Sequence, residues 1–145
     1  MKQIKHIGAY GLIIKDDKIL LIKKNGGPYD GKLDLPGGTI EFNETIETAL
    51  VRELQEEVGV EITNYKLFDV VTTNIIWNHK NELLETKHIA ILYIINEFKN
   101  DIKDTMKITE INDDSMGSEY YDIDKLKKEQ LSNIALLALE KLGYK

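Results

Sequence analysis

Apolar and polar positions along this chain fall into short β-rich stretches that give way to a helical period in two places. Residues Ile7–Ile14 and Lys18–Lys24 are β-rich and flank Asp16-Asp17, a pattern that predicts a hairpin. Turn formers follow, Asn25-Gly26-Gly27-Pro28 and Asp30-Gly31, up to Leu35-Pro36-Gly37-Gly38. From about Asn43 to Val58 the period changes, with Ile46, Ala49, Leu50, Leu54 and Val58 at helical spacing. Asn43 or Thr45 is the candidate N-cap of this helix, and Gly59 stands where it would stop. Long β-branched stretches come next, near Tyr65–Trp77 and His88–Phe98, joined by the polar Asn78–Asn81. A short strand near Lys107–Ile111 and an acidic loop over Asn112–Glu119 are expected. A helix from about Ser132 to Leu142, ended by Gly143, closes the series. Strands on both sides of one helix, with a second helix at the end, predict a mixed sheet covered by helices, an α/β or α+β domain.

Composition narrows the function classes. A length of 145 residues suits one domain over 1–145, and 42% hydrophobic with 30% charged residues excludes disorder by composition. There are 25 acidic against 19 basic side chains, a formal charge of -6, which argues against a dedicated nucleic-acid surface. No apolar run approaches the roughly 18 residues of a membrane-spanning helix. Met1–His6 lacks the apolar core of a secretory signal. The expectation is a cytoplasmic protein with no membrane partner. The absence of cysteine excludes a disulfide scaffold, a thiol nucleophile and a cysteine zinc site.

Candidate chemistry concentrates in Glu53-Leu54-Gln55-Glu56-Glu57. Most acidic helices simply present a solvated face. Here, at about 100° per residue, Glu53 and Glu57 project beside Ile46 and Leu50 at the edge of the apolar stripe, and Glu56 flanks Glu53. A carboxylate bordering a core is costly unless something compensates it. Three such groups about 6 Å apart repel by roughly 3 kcal/mol per pair at an effective dielectric near 20. A divalent cation converts that repulsion into binding. An all-oxygen cluster favours a hard ion, Mg²⁺ first and Mn²⁺ second. Immediately upstream, Gly37 and Gly38 permit a tight turn that brings backbone close to a metal or a phosphate, although a glycine pair alone is more often a plain turn.

From Gly38 to Val60 the chain reads G-x5-E-x7-R-E-L-x-E-E-x-G-V, formed by Gly38, Glu44, Arg52, Glu53, Leu54, Glu56, Glu57, Gly59 and Val60. This pattern resembles the Nudix box at every defining position, and the flanking order of hairpin, turn, helix, strands and helix is similar to that family. The resemblance implies the Nudix fold, an α/β/α sandwich around a mixed β-sheet. It also implies hydrolysis of a nucleoside diphosphate linked to another moiety, with Mg²⁺ or Mn²⁺. Carried over by position, Glu56 and Glu57 correspond to direct metal ligands, and Glu53 to a ligand or to the group that activates water. Arg52 corresponds to the partner orienting Glu53, or to a helix ion pair with Glu56, roles that are compatible. Gly37 and Gly38 match the backbone that approaches the metal, and Glu44 the first carboxylate of the box. Some members add an acid from a later loop; among Asp113, Asp114 and Glu119, the candidates are Asp114 and Glu119, against a solvated loop.

Substrate markers are informative by absence. The proline that ADP-ribose hydrolases carry about 15 residues past the box is replaced by the Asn74-Ile75-Ile76 zone, and no proline follows Pro36. Trp77 stands where dinucleoside polyphosphate hydrolases often place tyrosine, and a coenzyme A signature is absent. The remaining expectation is a MutT-like enzyme cleaving a nucleoside triphosphate to monophosphate and pyrophosphate. Alternatives are a nucleotide-sugar or dinucleoside polyphosphate hydrolase, or a non-catalytic nucleotide-binding module. The expected partner is a small-molecule nucleotide, with the chain a monomer or homodimer. Trp77 and Tyr10 are candidates to stack a base, with core or rim positions as the alternative. Lys23, Lys24 and Lys32 could meet phosphate oxygens, with ordinary solvated lysines as the alternative. His6, His79 and His88 show no ligand spacing and read as solvated or core histidines.

The charge is unevenly placed. Residues 38–60 hold six Glu and one Arg, a net of -5, while the rest of the chain nets -1. An acidic balance concentrated in a cation site does not exclude anionic substrates, because bound metal reverses the local field.

Overall fold

The computed structural model describes residues 1–101 and 115–145. Its elements are β1 (Lys2–Leu12), β2 (Ile14–Lys15), β3 (Lys18–Lys24), β4 (Leu33–Asp34), β5 (Gly37–Thr39), α1 (Ile46–Val58), β6 (Glu61–His79), β7 (Glu82–Lys99), β8 (Ser115–Asp122) and α2 (Asn133–Leu142). One sheet has the order β5-β1-β7-β6; in the other β3 pairs with β2, β4 and β8. The first is mixed, because β1 runs parallel to β7 and antiparallel to β5.

Alternation along the strands feeds two cores. In β3, Ile19 and Leu21 enter one and Leu20 and Ile22 the other; in β7, Leu92 faces the first and Tyr93 and Ile95 the second. Neighbouring strand residues point to opposite faces, so both faces of the β layer are buried. Helix α1 covers one face through Leu50, Leu54 and Val58, and α2 covers the opposite face through Ile134, Ala135, Ala138 and Leu139. The result is the expected α/β/α sandwich.

Capping chemistry bounds both helices. Thr45 Oγ1 accepts from the Thr48 N–H at 3.1 Å, and Gly59 closes α1 in the left-handed conformation, φ 77°. Of the two candidate caps, Thr45 is therefore the one used, and α1 starts at Ile46 rather than near Asn43. Ser132 caps α2 by accepting from the Ala135 N–H.

Two sequence expectations change. The Asp16-Asp17 turn forms, both residues having positive φ, but only Ile14 and Lys15 pair with β3 across it. Strand β1 instead runs the length of β7 in the other sheet, since a long-range partner with more apolar surface outweighs the local hairpin. Ser115–Glu119, expected in an acidic loop, belongs to β8, which pairs with the fully buried β3. The expected strand at Lys107–Ile111 lies outside the described residues.

Strands β6 and β7 are 19 and 18 residues long and turn at Lys80 and Asn81, both at positive φ. Among the described residues no helix is long and apolar enough to cross a membrane.

Candidate active site

Helix α1 and strand β5 build the acidic side of the site. Gly37 pairs with Tyr10 and Gly38 with Ala9, which holds the glycine turn flat against β1. A Cβ on Gly37, where φ is 142°, would meet the Ala9 carbonyl oxygen at 2.2 Å, so only glycine fits there. A Cβ on Gly38 would meet the Glu53 carboxyl at 2.8 Å. The missing side chain is thus the space that Glu53 occupies.

Arg52 organises the box carboxylates. Its Nε and Nη2 donate to the two oxygens of Glu44 at 2.7 and 2.8 Å, and its Nη1 donates to Glu53 at 2.9 Å and Glu56 at 3.2 Å. A further bond runs from Nη2 to the Thr39 carbonyl at 3.1 Å, tying the helix to β5. This fork holds the Glu44 carboxyl at about 2, well below its ordinary value. Glu44 also accepts from the Glu41 N–H at 2.9 Å, so it braces the turn entering α1.

Glu57 is buried and accepts from the Gly37 N–H at 2.7 Å. Burial pushes its carboxyl up to about 8, with the charge of nearby Glu53 adding to the effect. Burial raises Glu53 as well, opposed by the hydrogen bond from Arg52. Both open onto a cavity of about 200 Å³. Glu56, at 57% side-chain exposure, lies outside its lining.

Among the described residues, no three His, Asp or Glu side chains converge as a ready metal-binding set. Arg52 draws Glu53 and Glu56 together, and Glu57 turns to the Gly37 amide. The donor chemistry fits a hard divalent cation nonetheless. Two carboxylates share one cavity, burial disfavours their charge, and a cation there offsets the cost with the oxygen ligands such ions prefer.

The opposite wall of the cavity is aromatic. Parallel pairing sets His6 directly against His88, and their rings stack with centroids 4.5 Å apart and planes 17° from parallel. The Tyr10 hydroxyl lies 2.7 Å from His88 Nε2, and the Tyr29 hydroxyl 2.8 Å from His88 Nδ1. Gly8 makes room for Tyr10, since a Cβ there would meet the phenol oxygen at 2.6 Å. Burial lowers the His88 imidazole to about 3, so it is neutral, and raises the Tyr10 phenol. Lys24 and the buried Asp34 complete the lining, Asp34 Oδ1 accepting from the Leu35 N–H at 2.8 Å and from Ser132 Oγ at 2.6 Å.

The structure therefore brings Tyr10, Gly37, Gly38, Glu53 and Glu57 around one space, with Arg52 and Glu44 behind them. Trp77 stands elsewhere on β6, donating its indole N–H to Thr86 at 2.9 Å. Lys23 is exposed on β3 and does not line the cavity, whereas its neighbour Lys24 does. Lys32 donates to the Glu129 carbonyl. Glu119 is exposed in β8, and Asp113 and Asp114 lie outside the described residues. Sequence reasoning missed His6, Tyr29, Asp34 and His88 as cavity residues. They carry no spacing signal, because three strands and a loop bring them together.

Comparison with known proteins accords with this geometry. A family model described as NUDIX domain matches residues 5–140. The chain is 34% identical over 122 residues to a protein named ADP-ribose pyrophosphatase from Methanocaldococcus jannaschii, covering 84% of this chain and 64% of that protein, just under two thirds of its length. It is 31% identical over 103 residues to a protein named 8-oxo-dGTP diphosphatase from Proteus vulgaris, covering 70% of this chain and 84% of that one. A crystal structure of a MutT NUDIX hydrolase from Burkholderia pseudomallei superimposes with a TM-score of 0.76 at 27% identity, covering 95% of this chain and 98% of the other.

Proposed function

The chain belongs to the NUDIX domain family, and from that premise we propose that it is a single-domain, divalent-metal-dependent nucleoside triphosphate pyrophosphohydrolase, releasing a nucleoside monophosphate and pyrophosphate. The observation that carries this reading is the shared cavity: Glu53 and Glu57 on one side, an aromatic wall of His6, Tyr10, Tyr29 and His88 on the other. Such a space suits a ligand with phosphates at one end and a planar ring at the other.

Mg²⁺, with Mn²⁺ as the alternative, would be held by Glu53, Glu56 and Glu57 with backbone of Gly37 and Gly38. When bound it neutralises phosphate oxygens and acidifies water. Glu53, seated in the space left by Gly38, takes the proton of the attacking water. Arg52 aims Glu53 through the 2.9 Å bond and is itself fixed by Glu44. Lys24, on the cavity wall, contributes a positive charge toward phosphate oxygens.

A second reading is favoured by the Methanocaldococcus jannaschii relative, whose name specifies ADP-ribose. Purified protein offered nucleoside triphosphates, ADP-ribose, nucleotide sugars and dinucleoside polyphosphates with Mg²⁺ separates the readings by product. Monophosphate with pyrophosphate supports the first, and AMP with ribose 5-phosphate the second. No turnover of any of them under Mg²⁺ or Mn²⁺ overturns the catalytic reading in favour of a binding module.

A further inference from the structure

The buried imidazole of His88 has no part in the phosphate chemistry, yet both of its ring nitrogens are hydrogen-bonded, to Tyr10 at 2.7 Å and Tyr29 at 2.8 Å. A neutral imidazole carries one N–H and one acceptor nitrogen. One phenol must therefore donate to the ring while the other accepts from it. The accepting phenol keeps its own O–H, and the donating phenol keeps an acceptor lone pair. Both tyrosines are more than nine-tenths buried, both line the cavity, and neither hydroxyl has another hydrogen-bond partner among the described residues.

Two arrangements satisfy the clamp equally. With the proton on Nδ1, Tyr29 accepts from the ring and points its O–H to the cavity, and Tyr10 donates to Nε2. With the proton on Nε2, the roles reverse. Three exchangeable protons are present in both states, one on each hydroxyl and one on the ring. Interchange rotates the hydroxyls and carries the ring proton between nitrogens through solvent, with no net gain or loss. A purine nucleotide presents an acceptor at its sixth position when it is guanine-like and an amino donor when it is adenine-like. Each clamp hydroxyl can meet either one.

We infer that the Tyr10–His88–Tyr29 clamp binds the base edge of a purine nucleotide and adapts to it by tautomer exchange, so that the cavity accepts 6-oxo and 6-amino purines alike. The stacked His6 fixes the plane of the His88 ring, leaving proton position as the variable that responds to the ligand. This inference rests on the nucleotide-hydrolase reading and names its substrate class.

The test is nitrogen NMR of histidine-labelled wild-type protein with GMP or AMP, the His88 signals being assigned with His6→Gln and His79→Gln. GMP and AMP should place the ring proton on opposite nitrogens, exchanging the two resonance positions. The same tautomer under both nucleotides overturns the inference, even if triphosphates are hydrolysed. Tautomer exchange without hydrolysis of any nucleotide leaves the clamp standing and removes the catalytic reading. In steady-state kinetics, wild-type kcat/KM for GTP and ATP should lie within about tenfold. Tyr29→Phe should skew that ratio about tenfold further through KM, with little change in kcat. An unchanged KM ratio in Tyr29→Phe and Tyr10→Phe counts against the clamp.

Discussion

Arg52 and Glu44 meet as a two-point fork, Nε to one carboxylate oxygen at 2.7 Å and Nη2 to the other at 2.8 Å, eight residues apart in the chain. The fork leaves Nη1 aimed at Glu53. Lysine keeps the charge but has a single ammonium and no fork. Arg52→Lys should therefore fold normally and lose about 100-fold in kcat/KM, the cost of misplacing a reacting group by about 1 Å. Steady-state kinetics with circular dichroism checks both halves; full activity would show that Glu53 needs no such aim.

Gly38→Ala gives a sharper separation of fold from activity. The added Cβ meets only the end of the Glu53 side chain, at 2.8 Å, and the Gly38 backbone is not in the left-handed region. Glu53 can swing aside at little cost in stability. The melting temperature should stay within a few degrees, while turnover falls about 100-fold. Gly37→Ala, blocked by the Ala9 carbonyl oxygen at 2.2 Å, should instead impair folding.

Glu57 makes the metal-free protein pH-sensitive. Its folded carboxyl titrates near 8, above the ordinary 4.5, so between those values the folded state holds a proton that the unfolded chain has released. Stability from this group is complete below about pH 4.5 and is lost as pH rises through about 8. In EDTA, wild-type stability relative to Glu57→Gln should fall over that window. Mg²⁺ should raise the wild-type melting temperature at pH 8 and leave Glu57→Gln nearly unmoved. A flat difference between the two proteins across pH 4.5–8 would refute the burial argument.

Ser132 links a helix cap to the cavity wall, accepting from the Ala135 N–H and donating to the buried Asp34 at 2.6 Å. Ser132→Ala removes both bonds. A cap contributes about 1 kcal/mol and a bond to a buried charge about 1.5–3 kcal/mol. Loss of about 3 kcal/mol in urea unfolding is expected, without loss of the α2 helix signal. A change below about 0.5 kcal/mol would mean that water replaces the hydroxyl.

Local signals were readable in the chain wherever the interaction that sets the structure is itself local. Thr45 and Gly59 bound α1 because capping acts within one helical turn. Lys80 and Asn81 turn where the polar connection was expected. Glu53 and Glu57 emerge on one side of α1 because the helical period fixes their relative angle. The Asp16-Asp17 hairpin shows the limit of this reasoning. Its turn is local and forms, but the partner of β1 is chosen by burial against β7, eighty residues away. Likewise, β8 takes strand form from its pairing with buried β3, not from its own acidic residues.

The sequence by itself determined the carboxylate helix, its glycine-lined approach and the family to which they belong, because these depend on spacing within about 20 residues. Only the tertiary structure decided what faces the carboxylates. His6, Tyr10, Tyr29 and His88 come from two strands and a loop, and no period along the chain relates them. They meet because β1 and β7 pair in parallel with His6 opposite His88, and because Gly8 leaves space for the Tyr10 ring. Long-range register, set by the burial of whole strands, builds the wall that selects a ligand, whereas helical geometry builds the side that carries the chemistry.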